Sequence, residues 1–64
     1  MEGIEKAIES AYSAQIMTLY KVLTQGILNA KGDAQKKSKA EKKFKKGLEF
    51  AADVRQSARV AAGL

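Results

Sequence analysis

Apolar residues recur at three- and four-residue steps through the first half of the chain. Over about residues 2–28 they fall on one broad face, and polar side chains fall on the opposite face. This period predicts an amphipathic α-helix. Its apolar face consists of Ile4, Ile8, Tyr12, Ile16, Leu19, Leu23 and Ile27. Because a glycine costs roughly 1 kcal/mol relative to alanine inside a helix, Gly26 predicts a weak last turn that frays or ends there.

The second half of the chain has a narrower seam of small residues that repeats every seven positions. It lies within a second predicted helix over about residues 34–62 and follows an a/d pattern. The seam is made of Ala40, Gly47, Val54 and Ala61, which alternate with Phe44, Ala51 and Ala58. Small residues let two helices approach closely, so we expect large side chains of the first helix to pack over them.

One short break, with the sequence NAKGD at residues 29–33, separates the two periodic segments. Asn29 or Gly32 suits the left-handed conformation that closes a helix, and Asp33 suits the N-cap of the next. Short connections of this kind join antiparallel neighbours. The predicted fold is therefore all-α, a two-helix antiparallel hairpin that forms a single domain over residues 1–64.

The chain is too short to build a large core of its own. Domains of about 60 residues bury only about 60% of their unfolded surface, and they usually rely on disulfides, a metal or oligomerisation. The 64 residues include no cysteine and no histidine. We therefore expect the core to be completed by self-association, as a closed dimer, a higher oligomer or an open filament. The residues expected to take part are Tyr12, Ile16, Leu19, Leu23, Phe44, Gly47, Ala51, Val54 and Ala58.

Several large apolar residues lie partly off both stripes, and we expect some of them to be exposed on a lone hairpin. They are Met17, Leu28, Leu48, Phe50 and Val60. Scattered apolar residues are normal on protein surfaces. In a chain this short, we favour the interpretation that they mark a second contact surface between copies.

Catalytic chemistry has little support in the sequence. The absence of histidine and cysteine removes the usual general base and a thiolate nucleophile. Two acid pairs are spaced one helical turn apart, Glu5 with Glu9 and Glu49 with Asp53, but neither has a glycine-rich loop or a base beside it. Acids in the first turns of a helix are explained by the helix dipole. We predict a non-enzymatic protein that uses no cofactor or metal.

Seven lysines lie between residues 36 and 46, and they dominate the net charge of +5. A predicted stripe beside the seam consists of Lys39, Lys42, Lys43 and Lys46, with Lys36 nearby, and Arg55 and Arg59 could extend it. Such a stripe can contact phosphates through charge, but lysines do not read bases. Three explanations stay open: solubility, pairing with the acids of a neighbouring copy, and binding of nucleic acid or another polyanion.

The N-terminal sequence is acidic and has no apolar signal core, and no apolar stretch approaches the roughly 18–20 residues of a membrane span. We expect no cleavable signal peptide or transmembrane segment, so the location is open between the cytoplasm and export without a cleaved signal.

The sequence is compatible with two functions. The first is a self-assembling structural protein. The second is a small basic nucleic-acid-binding or regulatory protein that uses the lysines of residues 36–46.

Overall fold

The computed structural model describes residues 2–64, which form two antiparallel α-helices joined by a tight turn. Helix α1 spans Glu2–Ala30 and helix α2 spans Ala34–Ala61. The two helices pack against each other, and residues 2–64 contain no strand. The predicted all-α hairpin is confirmed. Helix α1 runs two residues past its predicted end, and α2 stops one residue before its own.

The turn combines two left-handed residues with a helix cap. Lys31 and Gly32 have φ angles of 49° and 84°. The Asp33 carboxylate then accepts hydrogen bonds from the backbone N–H groups of Gln35, at 2.9 Å, and Lys36, at 3.2 Å. These bonds satisfy two of the free N–H groups at the start of α2. The predicted roles of Gly32 and Asp33 are confirmed, whereas Lys31 was not expected to be left-handed.

The predicted weak point at Gly26 is wrong, because α1 continues through Gly26 and Asn29 to Ala30. A Cβ atom placed on Gly26 would lie 2.8 Å from the Cβ of Ala40 on the opposite helix. The glycine therefore serves the contact between helices, since it lets two backbones approach where any side chain would collide. Packing outweighs the propensity penalty here.

The same arrangement recurs further from the turn. Leu19 lies seven residues before Gly26 on α1, and Gly47 lies seven residues after Ala40 on α2. The side chain of Leu19 packs over Gly47. A Cβ atom on Gly47 would overlap the Cδ2 methyl of Leu19 and come within 3.2 Å of Cδ1. The predicted packing of large α1 side chains over small α2 residues is confirmed at this pair, and the two contacts fix the antiparallel register.

On α2 the buried and half-buried positions of the interface repeat every eleven residues along its whole length, whereas the seven-residue step fails beyond Gly47 at Val54. On α1 the central row consists of Ile8, Tyr12, Ile16, Leu19, Leu23, Gly26 and Ala30. On α2 it consists of Ala40, Phe44, Gly47, Ala51, Arg55, Ala58 and Ala62. The predicted heptad seam is wrong at Val54, which is 38% exposed, and at Ala61, which is also exposed. On a straight helix a seven-residue spacing drifts by about 20° per repeat, whereas eleven residues complete three turns.

The hairpin is a single layer with a thin core. Among residues 3–64, whose side chains the structure describes, only Ala30 and Ala51 are buried, and no large side chain is fully buried. The molecule measures 47 × 15 × 8 Å, and its radius of gyration of 14.8 Å exceeds the roughly 11 Å of a compact domain of this length. Its accessible surface of 5132 Å² likewise exceeds the roughly 4,000 Å² expected for its mass.

Candidate interaction surfaces

Most of the residues expected to mediate self-association already lie between the two helices of one chain. Ala51 is buried, and only Val54 is exposed. The half-buried members are Tyr12, Ile16, Leu19, Leu23, Phe44, Gly47 and Ala58. A second copy therefore has access only to the outer edges of these side chains. Large apolar groups that are free for an intermolecular contact lie elsewhere on the hairpin.

The exposed apolar residues lie on the outer edges as well as on the broad faces of the hairpin. Met17, Leu28, Phe50 and Val60 are 60%, 67%, 68% and 65% exposed, which confirms the expectation for these four, whereas Leu48 is half-buried. At about 100° per residue, Leu28 lies half a turn from Leu19, and Val60 lies half a turn from Ala51. Both outer edges of the layer therefore carry large apolar side chains.

Near the turn, the five lysines of the predicted binding set line one open groove between the helices. They are Lys36, Lys39, Lys42, Lys43 and Lys46, and all five are exposed. The rest of the lining is apolar and consists of Leu19, Val22, Leu23, Gly26, Ala40 and Phe44. The groove has a volume of about 520 Å³. We call it the lysine groove; Lys37 and Lys45 are not part of its lining.

A second, shallower groove continues from the first. It is lined by Ala11, Ala14, Gln15, Thr18, Leu19, Gly47, Phe50 and Ala51. Leu19 lines both grooves, so they form one trough. The shallower part carries no charged residue in its lining, and the exposed ring of Phe50 lies at its margin. Charge on this trough is therefore concentrated near the turn.

The other end of the hairpin contains a cross-helix charge cluster. Nε of Arg55 donates to both carboxylate oxygens of Glu9, at 3.0 and 2.8 Å, and Cζ lies 5.3 Å from the centre of the Tyr12 ring. The hydrogen bond to Glu9 raises the pKa of the Arg55 guanidinium above its ordinary value, and the attraction between the charges adds to this. Arg59 lies 3.9 Å from Glu5 and 3.8 Å from Glu9. These contacts connect the start of α1 to the end of α2.

This cluster corrects two expectations. Arg55 and Arg59 do not extend the lysine stripe, because both are paired with acids of α1. Glu5 and Glu9 in turn have partners within their own chain, which weakens the idea that they neutralise the lysines of a neighbouring copy. Sequence reasoning missed the pairs because it treated each helix separately. Counting outward from the turn in antiparallel register places Glu9 beside Arg55.

Within residues 3–64 the acids form no group of three or more that could bind a metal ion. No helix in this part of the chain is both long and apolar enough to cross a membrane. The features that remain for a functional interpretation are the apolar edges, the trough and its lysines.

In comparisons with protein-family models, with curated proteins and with solved structures, none matches this chain.

Proposed function

We propose that the chain is a non-enzymatic structural protein, the helical-hairpin subunit of a homo-oligomer or filament. The observation that carries this proposal is the excess surface of the single hairpin. Its 5132 Å² is about 1,100 Å² more than a compact protein of its mass exposes. Stable protein interfaces bury about 800 Å² on each partner. Packing against another copy would cover a surface of this size and bury large side chains that one chain leaves in water.

The two apolar edges suggest how copies meet. Met17 and Leu28 mark the α1 edge, and Val60 marks the α2 edge. If an α1 edge packs against the α2 edge of the next copy, the contact is head-to-tail and propagates into a filament. If two α1 edges pack together, the contact is two-fold symmetric and closes as a dimer. Either contact leaves the lysine groove on the broad face.

Self-assembly is tested by melting temperature and molecular mass measured over a hundredfold range of protein concentration. We expect the melting temperature to rise with concentration, because association stabilises the folded state by mass action. A monomer mass with an unchanged melting temperature across that range would contradict the proposal.

Edge variants test where copies meet. The double variant Met17→Ser and Leu28→Ser should remain monomeric at concentrations where the wild type assembles. The matched control is Thr18→Ser with Thr24→Ser, which changes two exposed residues of the same helix without removing a large apolar side chain. We expect the control to assemble like the wild type. Assembly of the edge variant at wild-type concentrations would exclude the α1 edge as the contact.

The second candidate function is binding of nucleic acid, and the arrangement of the lysines favours it. Five lysines line one groove, and every ion pair found among the side chains of residues 3–64 involves Arg55 or Arg59 instead. Lysines that take part in no ion pair are available for phosphates. Such binding should weaken steeply with salt and show little preference for sequence.

A titration with duplex DNA at several salt concentrations tests this second candidate. The informative variant changes Lys39, Lys42, Lys43 and Lys46 to glutamine, which should abolish binding and leave the helicity intact. Wild-type affinity tighter than micromolar at physiological salt would favour nucleic-acid binding over a purely structural role. If the wild type does not bind DNA even at low salt, the candidate is rejected.

A further inference from the structure

The lysine groove combines two kinds of surface that one ligand must match. Its lining from α1 and from the inner side of α2 is aliphatic and aromatic, and Val22 in that lining is 58% exposed. Its rim consists of five lysines. Water covers an apolar lining at a cost in free energy that is roughly proportional to its area. A ligand that covers the lining and also neutralises the rim satisfies both parts of the groove.

Two other candidate ligands match only the apolar lining or only the lysine rim of the groove. A nucleic-acid backbone supplies phosphates for the ammonium groups but no aliphatic group for Val22, Leu23 and Phe44. The equivalent groove of a second copy supplies apolar surface, but it brings five more lysines and like charges repel. The required chemistry is an anionic head joined to an apolar tail.

We infer that the lysine groove is a binding site for a single-chain anionic amphiphile, such as a fatty-acid carboxylate. The tail lies along Leu19, Val22, Leu23 and Phe44, and the head meets ammonium groups at the rim. The site shares its lysines with the second candidate function and does not depend on self-assembly.

The dimensions and the side-chain chemistry of the groove suit this ligand. The volume of about 520 Å³ falls within the roughly 300–1,000 Å³ of small-molecule sites. The lysines extend over eleven residues of α2, from Lys36 to Lys46, and the ten steps between them give a length of about 15 Å. Lysine stems are aliphatic, so they can pack along a tail while their ammonium groups stay in water beside the head. Ammonium–carboxylate hydrogen bonds are stronger than neutral ones.

The test is a calorimetric titration of the full chain with sodium dodecanoate below the concentration at which it forms micelles. We expect saturable binding of dodecanoate. Acetate has the same head without a tail, and dodecyltrimethylammonium has the same tail with the opposite charge. Neither should bind measurably. Equal binding of the cationic probe would overturn the inference, because the lysines would then play no part.

Matched lysine variants separate the groove from general positive charge. Lys39→Gln with Lys43→Gln removes two groove lysines, and we expect roughly three- to tenfold weaker binding, given the modest strength of exposed charge pairs. Lys37→Gln with Lys45→Gln removes the same charge from the same helix outside the groove, and affinity should stay within twofold. Equal weakening of dodecanoate binding by the two double variants would contradict the placement of the site in the lysine groove.

A substitution in the apolar lining of the groove tests where the tail of the ligand binds. Val22→Ser should weaken dodecanoate binding roughly two- to fivefold, since it removes an apolar side chain that the tail would cover. Because Val22 is largely exposed, the fold should be retained, and circular dichroism verifies this. An unchanged affinity in the folded variant would contradict the placement of the tail.

Two further measurements define the source of the ligand and the independence of the site. Sedimentation of the chain with phosphatidylglycerol vesicles, in the absence of dodecanoate, distinguishes the two sources. Vesicle binding that Lys39→Gln with Lys43→Gln removes would overturn the single-chain assignment in favour of a membrane lipid, and a chain that stays in the supernatant supports a free amphiphile. Sedimentation of the dodecanoate samples reports the assembly state separately, so a monomer that binds dodecanoate refutes assembly and supports the site. No saturable dodecanoate binding, with or without assembly, overturns the inference.

Discussion

Near the turn, small residues of the two helices face each other directly, whereas near the termini an arginine, a tyrosine and a glutamate connect them. At the turn end, which we define as residues 19–47, Gly26 faces Ala40 and Leu19 covers Gly47. At the open end, residues 2–18 and 48–64, Arg55 contacts Glu9 and Tyr12. The helices thus meet through close apolar packing at the turn end, and they are also joined by an ion pair at the open end.

The distribution of charge follows the same division. At the open end Glu5 and Glu9 of α1 pair with Arg55 and Arg59 of α2. Five lysines of the turn end line the groove, and they take part in none of the ion pairs found among residues 3–64. The two kinds of basic residue therefore differ in their surroundings. Arg55 and Arg59 pair with acids across the two helices, whereas the lysines of the groove take part in none of these pairs.

The largest effect on stability should come from Leu19→Ala. This change removes the side chain that covers Gly47 and leaves a gap in the middle of the interface. Core truncations of leucine cost about 2–5 kcal/mol, and half-burial places this one near 2–3 kcal/mol. Chemical denaturation measures the loss. Ser13→Ala, at an exposed polar site on the same helix, is the control and should change the free energy of unfolding by less than about 0.5 kcal/mol. Similar losses at the two sites would contradict the described packing.

Gly26→Ala should cost about 1–2 kcal/mol, although alanine is the better helix former. The added Cβ would lie 2.8 Å from that of Ala40, so the helices must separate. Alanine recovers roughly 1 kcal/mol of helix propensity, which limits the net loss. Ala40→Gly in the same chain should restore much of the stability by removing the opposing methyl. If Gly26→Ala alone is stabilising in thermal denaturation, the helices are not closely packed near the turn.

Breaking the ion pair at the open end should have a smaller effect. Glu9→Gln should lower the melting temperature by less than Gly26→Ala does, because the pair is partly exposed and screened. A double-mutant cycle with Arg55→Gln measures the coupling, which should shrink as salt is added. A coupling that is independent of salt would indicate that the residues interact through packing.

The same pair has a defined pH dependence. The pKa of Arg55 is raised in the folded state, so its contribution is fully present below the ordinary pKa of a guanidinium. That contribution is lost only as the pH rises through the folded-state pKa. Arg55 should therefore cause no change in melting temperature between pH 6 and 9.

The smallest effect on stability should come from changing Lys39, Lys42, Lys43 and Lys46 to glutamine. These side chains are exposed, and crowded cations repel one another, so removing them should raise the melting temperature slightly at low salt. The difference should vanish at high salt. A marked loss of stability would show that the lysines hold the hairpin together, and would contradict the proposal that they are free to bind an external anion.

Local features of this fold were predictable from the sequence, and relations between the helices were less so. The apolar period and the Gly32–Asp33 pair predicted the hairpin and its turn because both depend on neighbouring residues. The seven-residue seam was misplaced at Val54 and Ala61 because seam drift depends on whether the helices supercoil. Gly26 was misinterpreted because its role depends on Ala40, which belongs to the other helix. The lysine stripe was visible in the sequence, but the apolar lining that makes it a groove comes largely from α1.

The antiparallel register also has a consequence for how the chain folds. Gly26 and Ala40 are separated by few residues, whereas Arg55 and Glu9 are 46 residues apart. Closing the longer loop from an unfolded chain costs roughly 1 kcal/mol more in entropy. The hairpin should therefore form first at the turn, where Asp33 starts α2, and extend toward the termini. Proteins built from such local contacts fold within microseconds to milliseconds. In native-state hydrogen exchange, the amides of the open end should exchange first and those between Leu19 and Gly47 last.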